Sequence, residues 1–377
     1  MFYKNARIYA SDCRFHHGTF EVTEDGRFGQ VLPDYMPEDA YDLEGALVIP
    51  GLVDVHTHGN SGYDFSDGDY EGLKEMARCY LASGVTSFAP ASMTQTFDVL
   101  EKAYATARRL AEEKPSGCAR IRGIHMEGPY FSYKKRGAQN PAYLKDPDFE
   151  EFRKLNEISG NLIRIVDVAP ELPGALDFIR KASRICTVSV AHTDATYEQA
   201  KAAFGAGASH LTHMFNGMNA IDHRNPGVIP AAAEAPHVRA ELICDGLHVH
   251  PSAIRLAFSM FGGERMILVS DTGRCAGMPE GSEFDLGGLT AKVVGGVARL
   301  DNGSIACSAT NLWQCMVNAI SYGIPAEDAI RACTVNPACA LGVQGEVGSI
   351  APGKRADFVV CSPDYAKKRV YLAGKLV

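Results

Sequence analysis

The sequence predicts an α/β protein, a (β/α)8 TIM-like barrel carrying a small β-sandwich built from both ends of the chain. Three observations lead there. A chain of 377 residues is too long for one small core. Its middle alternates about eight apolar strand-like runs with amphipathic stretches of helix length. Its two ends are short β-type pieces without helical periodicity.

The opening segment, NARIYA, GTFEVTEDGRFGQVLPD and YDLEGALVIPG, is punctuated by Gly, Asp and Pro and reads as a β meander. The closing segment, GEVGSIAPGKRADFVVCSPD and KKRVYLAGKLV, reads alike and ends in a hairpin pattern. Residues 1–49 and 344–377 are therefore expected to form the sandwich, and 50–343 the barrel. The barrel strands expected are LVDVHTH, GVTSFAPAS, IRGIHMEG, IRIVDVAPE, CTVSVAHTD, ASHLTHMFN, RAELICDGLHV and MILVSD. Helical stretches such as EGLKEMARCYLA and DVLEKAYATARRLAEE lie between them, and a further pair, NLWQCMVNAISYG and PAEDAIRACTVNPACALG, would cover the outside.

Five of these strand runs deliver a His, Glu or Asp at or near their carboxyl ends: His58, Glu127, His192, His213 and Asp271. Barrels of this kind place chemistry at the carboxyl ends of their strands, whereas helix capping would account for only one or two such residues. In His56-Thr57-His58 the strand period of two puts both imidazoles on one face, at a spacing that lets them share a metal ion. Glu127, in HMEGP, sits nearest the barrel mouth, where a carboxylate bridges two cations; otherwise it is an exposed turn residue. His192 and His213 follow apolar runs and join the ligand set, while His210 lies off that face and reads as structural. Asp271 closes MILVSD, where it can accept a proton from water and return it to a leaving group; a lone Asp would more often cap a helix.

Composition narrows the partners. The formal net charge is -8 with no basic run, which argues against nucleic acid. No apolar run reaches membrane-spanning length, and MFYKNARIYA has no apolar h-region, so neither a membrane nor a signal peptide is expected. The 11 cysteines lack CxxC spacing and mostly sit in apolar stretches, as reduced thiols of a cytoplasmic protein do.

Taken together, PGLVDVHTHG, HMEGPYFS, AHTDAT, THMFNGM, DGLHV, LVSD and GSIAPGKRADFVV resemble the N-acetylglucosamine-6-phosphate deacetylase family of the amidohydrolases, over almost the whole chain. The resemblance implies that Glu127, His192 and His213 hold the metal common to all members. It implies that His56 and His58 serve a second ion bridged by Glu127, and that Asp271 is general base and acid and a metal ligand. It assigns Asn216, Gly217, Arg224 and His248 to the sugar phosphate and its N-acetyl group, and Ala306-Cys307 to a loop closing over the sugar. Ala138 and Gln139 fall at a substrate position where many relatives carry a histidine in place of Gln139, and Gly217 replaces the usual Ala. The implied cofactor is one or two divalent ions, Zn²⁺ first and Fe²⁺, Mn²⁺ or Co²⁺ next. The implied partners are a phosphorylated amino sugar and a second copy of the chain, which supplies the phosphate arginine. Three alternatives stay open: a galactosamine or other N-acyl amino-sugar substrate, a cyclic-amide hydrolase, and a barrel retained only for binding. Against the cyclic-amide reading, IRIVDVAPE offers no lysine to bridge two metals.

Overall fold

The computed structural model describes all 377 residues. Every expected barrel run contains a strand: Leu52–Thr57, Val85–Pro90, Ile124–Met126, Ile163–Val168, Thr187–Val190, His210–Leu211, Arg239–Ile243 and Met266–Val269. These are called the first to eighth strands below. The first two pair in parallel, and the third to eighth form a continuous parallel sheet in chain order. A single bridge, Ala91 to His125, links the two groups. On the other side, the Asp271 N–H donates to the His56 carbonyl at 3.0 Å, and the His58 N–H to the Thr272 carbonyl at 2.8 Å.

The local sequence explains these elements. Strands such as LVDVHT and MILV are buried at every position, as parallel strands covered on both faces must be. Alternate residues of the first, second, fourth, seventh and eighth strands (Val53, Val55, Ala89, Ile165, Ile243, Ile267 and Val269 among them) cluster together, as period-two alternation requires. The helix Tyr70–Ser83 buries Leu73, Met76, Ala77, Tyr80 and Leu81, which share one face at helical spacing. It starts where the Asp69 side chain accepts the Glu71 and Gly72 N–H groups, and ends at Gly84 in a left-handed conformation that favours glycine.

One expected helix differs. PAEDAIRACTVNPACALG splits at Thr334 into Ala326–Cys333 and Val335–Ala340. The break turns Ala338 and Leu341 into the same cluster as Val53 and Ile267, so this segment plugs the strand assembly as well as covering it. Asn336 holds the bend by donating to the Gly263 and Met266 carbonyls.

The two chain ends meet in one eight-stranded sheet, where Phe358–Cys361 pairs antiparallel with Leu47–Pro50. The expected sandwich is thus a single hydrogen-bonded path, and it curls over on itself. Phe20 and Phe358 stand three strands apart along that path, roughly 14 Å in a flat sheet. Their ring centroids are only 5.2 Å apart.

A four-stranded antiparallel flap, Glu283–Leu286, Leu289–Val294, Val297–Leu300 and Ile305–Ser308, follows the eighth strand, where the sequence reading placed only a loop at Ala306-Cys307 and no strand. Its first two turns are the pairs Gly287-Gly288 and Gly295-Gly296, all at positive φ, as tight hairpins need. No helix is long and apolar enough to cross a membrane. All 11 cysteines are free and most are buried.

Candidate metal centre and substrate pocket

Six side chains expected from the sequence converge beyond the carboxyl ends of five strands. His56 and His58 come from the first strand and its exit, Glu127 from the turn after the third, His192 after the fifth, His213 after the sixth and Asp271 after the eighth. His192, His213 and Asp271 have φ of 42°, 26° and 46°. Left-handed backbone at a non-glycine residue costs about 1–3 kcal/mol and persists where the surroundings impose it, commonly at functional sites.

The contacts fall into two linked sets. Glu127 Oε1 is 3.0 Å from His192 Nε2 and 3.2 Å from His213 Nε2, and the two imidazole nitrogens are 3.2 Å apart. The His56 and His58 Nε2 atoms are 3.3 Å apart, and His58 Nε2 lies 3.4 Å from Glu127 Oε2. Asp271 Oδ1 stands 3.3 Å from His58 Nε2 and 3.7 Å from His56 Nε2. Four donors bound to one ion at 2.0–2.1 Å in a tetrahedron sit about 3.3 Å from one another. The outer nitrogens settle the tautomers. Nδ1 of His56 faces Glu241 Oε2 at 2.9 Å, Nδ1 of His58 the Ala91 carbonyl at 3.0 Å, and Nδ1 of His192 the Lys135 carbonyl at 2.9 Å. Each Nδ1 therefore donates outward and each Nε2 lone pair points inward, the arrangement of a metal-ligating histidine. The donor set fits a divalent cation.

The electrostatics agree. Burial pushes the Glu127 carboxyl up, but hydrogen bonds from His192 and His213 and the charge of His58 hold it well below the usual range. Burial likewise opposes ionisation of Asp271, and His58 and His56 overcome it. Burial lowers His58 and His213, yet the carboxylates around them raise both to about 9. The centre is thus organised to hold positive charge, and a metal ion bound there would displace those protons.

A cavity of about 340 Å³ opens over this centre. Of the expected substrate positions, Ala138, Gln139, Asn216, Gly217, His248 and Ala306 line it; Arg224 and Cys307 do not. Arg224 is exposed, in a loop where Asp222 accepts the Arg224 and Asn225 N–H groups. Cys307 is buried with its Sγ 3.8 Å from that of Cys275, so the residues that face the cavity from this loop are Ser304, Ile305 and Ala306. Cys307 packs instead into an apolar cluster with Cys275, Val293 and Ala298.

Gln139 is committed elsewhere. Its Oε1 accepts the Thr94 N–H at 2.8 Å, which fixes the amide orientation, and its Nε2 donates to Glu127 Oε2 at 2.7 Å. It steadies the central carboxylate. Gly217 is required where it stands: φ is 63°, and a Cβ there would meet His192 Nδ1 at 2.7 Å. The Asn216 N–H already donates to the His213 carbonyl, so that amide is not available to a substrate.

The sequence reading missed three participants. Asp245 accepts from His248 Nδ1 at 2.6 Å and from the His248 N–H at 2.8 Å, and the spacing in DGLHV is the signal that points to it. Glu241 and the flap are the others; paired glycines between alternating runs announce the flap. His210 binds Glu241 in the core, as expected of a structural residue, and His250 caps the helix Pro251–Phe261.

Comparison with known proteins follows the same lines. The amidohydrolase family profile matches residues 47–377. The N-acetylglucosamine-6-phosphate deacetylase of Vibrio furnissii is 36% identical over 351 residues, covering 93% of this chain and 86% of its own. The N-acetylgalactosamine-6-phosphate deacetylase of Escherichia coli O157:H7 is 33% identical, covering 93% of each chain. Among solved structures, a variant N-acetyl-D-glucosamine-6-phosphate deacetylase of Mycobacterium smegmatis, in complex with N-acetyl-D-glucosamine-6-phosphate, superposes with a TM-score of 0.93 at 33% identity, covering 100% of this chain and 98% of that one. The deacetylase of Thermotoga maritima gives 0.89 at 26%, covering 100% and 99%. With a catalytic-type centre at the strand ends and relatives of this identity along its whole length, the chain belongs to the amidohydrolase family, among its amino-sugar-phosphate deacetylases.

Proposed function

We propose that the protein hydrolyses the acetamide of N-acetylglucosamine 6-phosphate to acetate and glucosamine 6-phosphate. The observation that carries this reading is Asp271, whose carboxylate stands 3.3 Å from His58 Nε2 at the floor of the cavity, beside a histidine and glutamate cage. Glu127, His192 and His213 would hold one divalent ion, and His56, His58 and Glu127 would hold a second, with Asp271 beside His58 and His56 able to complete the set. When bound, the metal, Zn²⁺ by ligand type, polarises the acetyl carbonyl and acidifies the attacking water. Asp271 accepts the proton of that water and passes it to the amide nitrogen. The water oxygen joins the acetyl carbon, the C–N bond breaks, and the amine leaves protonated. Gln139 keeps Glu127 in place meanwhile.

The phosphate needs a cation, and among the expected substrate residues the only permanent one is Arg224. Its exposure outside the cavity supports a homodimer in which Arg224 reaches the neighbouring subunit's site. His248, with Nδ1 donating to Asp245, presents Nε2 to the sugar. The same reading takes the eight parallel strands as a closed (β/α)8 barrel, supported by the Ala91–His125 bridge and the Asp271-to-His56 hydrogen bond. It takes residues 1–49 and 344–377 as the accessory domain, and the free cysteines as those of a cytoplasmic protein.

A galactosamine epimer is the second reading, favoured by the Escherichia coli relative at 33% identity. The cyclic-amide alternative loses ground, because the fourth strand offers Asp167, bonded to His125, and no lysine. Acetate release from both sugar phosphates, before and after chelation, is the test. Release that chelation abolishes and added Zn²⁺ restores is expected, and the ratio of kcat/KM for the two epimers chooses between them. No release from either by the Zn²⁺-loaded protein overturns the deacetylase reading.

A further inference from the structure

Beneath the metal centre lies a second group of buried titratable side chains that the reaction above does not use. His125, Asp167, His210 and Glu241 are each no more than 1% exposed and come from the third, fourth, sixth and seventh strands. By proximity alone, His56, His125 and Glu241 could hold a cation. The hydrogen bonds exclude it. His125 Nδ1 lies 3.0 Å from the Val55 carbonyl oxygen, and His125 Nε2 lies 2.9 Å from Asp167 Oδ1, which also accepts the Thr212 hydroxyl. Both oxygens accept, so both ring nitrogens carry hydrogen and neither has a lone pair for a metal.

That leaves Glu241 a different task. Its Oε2 accepts from His56 Nδ1 at 2.9 Å and from the His213 backbone N–H at 3.2 Å. Its Oε1 accepts from His210 Nε2 at 2.9 Å, with His125 Nδ1 at 3.8 Å. One carboxylate therefore reaches two of the metal-holding residues from strands on either side of it. We propose that Glu241 is the positioning residue of the metal centre. It holds His56 in the Nδ1–H tautomer, which turns the Nε2 lone pair toward the ion site, and pins the left-handed backbone of His213. The proposal rests on the two-ion reading given above. An oriented, hydrogen-bonded imidazole is also a more basic ligand, and loss of such a partner weakens metal binding about 10–100-fold.

The test is metal binding, independent of turnover. Zn²⁺ titration against a chelating dye, with elemental analysis of the dialysed protein, compares wild type with Glu241→Ala, Glu241→Gln and His58→Ala. His58→Ala identifies the ion held by the His56 and His58 pair. Glu241→Ala is expected to weaken that same ion about 100-fold. Glu241→Gln keeps the volume: its amide oxygen accepts from His56 and His213, and its amide nitrogen donates to His210. His210 Nδ1 has no partner, so that ring changes tautomer without losing a bond. This variant is expected to fold and to weaken the same ion about tenfold, a partial rescue that a purely structural role does not give. Should Glu241→Ala not fold, Glu241→Gln decides alone. Wild-type affinity for both ions in Glu241→Gln overturns the proposal. A wild-type chain that binds one ion, unchanged in His58→Ala, overturns the two-ion reading and the proposal with it.

Discussion

Among single residues, Asp271 carries the most chemistry and the cleanest expectation. Asp271→Asn keeps the side-chain volume and one oxygen toward His58, so the fold and the ion at Glu127, His192 and His213 should persist. Removing a positioned proton carrier should cost about 10²–10⁴-fold in kcat. Steady-state rates beside metal content check this, and near-wild-type turnover refutes the assigned role. Asp245 gives a pH expectation. Burial pushes its carboxyl up, and the hydrogen bond and charge of His248 more than reverse that, so it lies below its ordinary 3.8. A carboxyl depressed on folding stabilises the protein fully above its unfolded value and loses that contribution as pH falls through the folded one. Asp245→Asn should therefore cost about 1.5–3 kcal/mol from pH 7 down to about 5, with the gap to wild type closing below about pH 4. Denaturant unfolding across that range measures it; a gap independent of pH counts against the mechanism. The residues that reach the ion were legible in the sequence because HxH after a strand and a carboxylate before a turn leave local patterns. Glu241 left none. It is the one fully buried charge in the strand RAELI, and its meaning depends on His56, 185 positions earlier in the chain.

At the scale of elements, the barrel strands were legible because buried parallel strands read as continuous apolar runs, and their helices as faces of period 3.6. The flap was passed over because its strands are half exposed and carry Lys, Arg and Asp among their apolar residues. The split at Thr334 does have a local mark, Pro337, which has no N–H to donate to the Cys333 carbonyl, and Asn336 holds it by reaching the Gly263 and Met266 carbonyls. The flap nonetheless bears on the pocket. Leu286 and Ala291 pack against Met93 and Ala138, both of which line the cavity, and Asn140 donates to the Gly287 carbonyl at the first turn. Leu286 is buried there at 1% exposure. Leu286→Asp places a carboxylate in that apolar contact, which forfeits about 1.5–3 kcal/mol of burial and unseats the flap. KM should rise about tenfold or more while metal content stays at the wild-type level. A variant that loses its metal would show that the flap supports the centre and does not merely cover the sugar.

Across the whole molecule, the two ends of the chain act as one part. Pairing of Phe358–Cys361 with Leu47–Pro50 ties the last segment to the residues that lead into the first strand and end six positions before His56. That pairing was foreseeable as a joining of β segments; the single curled sheet was not, since strand order is decided by contacts between residues more than 300 positions apart. The proposed assembly extends the same logic to a second chain. If Arg224 serves the neighbouring subunit's cavity, each site draws Asp271 from one chain and Arg224 from the other. Arg224→Ala and Asp271→Asn homodimers are then both impaired, for different reasons. In a mixed dimer, the site that keeps Asp271 receives the intact Arg224 of the Asp271→Asn chain and is complete. The opposite site lacks both. Random exchange of equal amounts places half of all chains in mixed dimers, with one working site in two, so activity should recover to about a quarter of wild type. Mixing the two variants under conditions that exchange subunits, and assaying acetate release at low sugar phosphate, measures it. Recovery argues for an arginine supplied across the interface, whereas a mixture no more active than the mean of its components assigns Arg224 to its own chain or to no site at all.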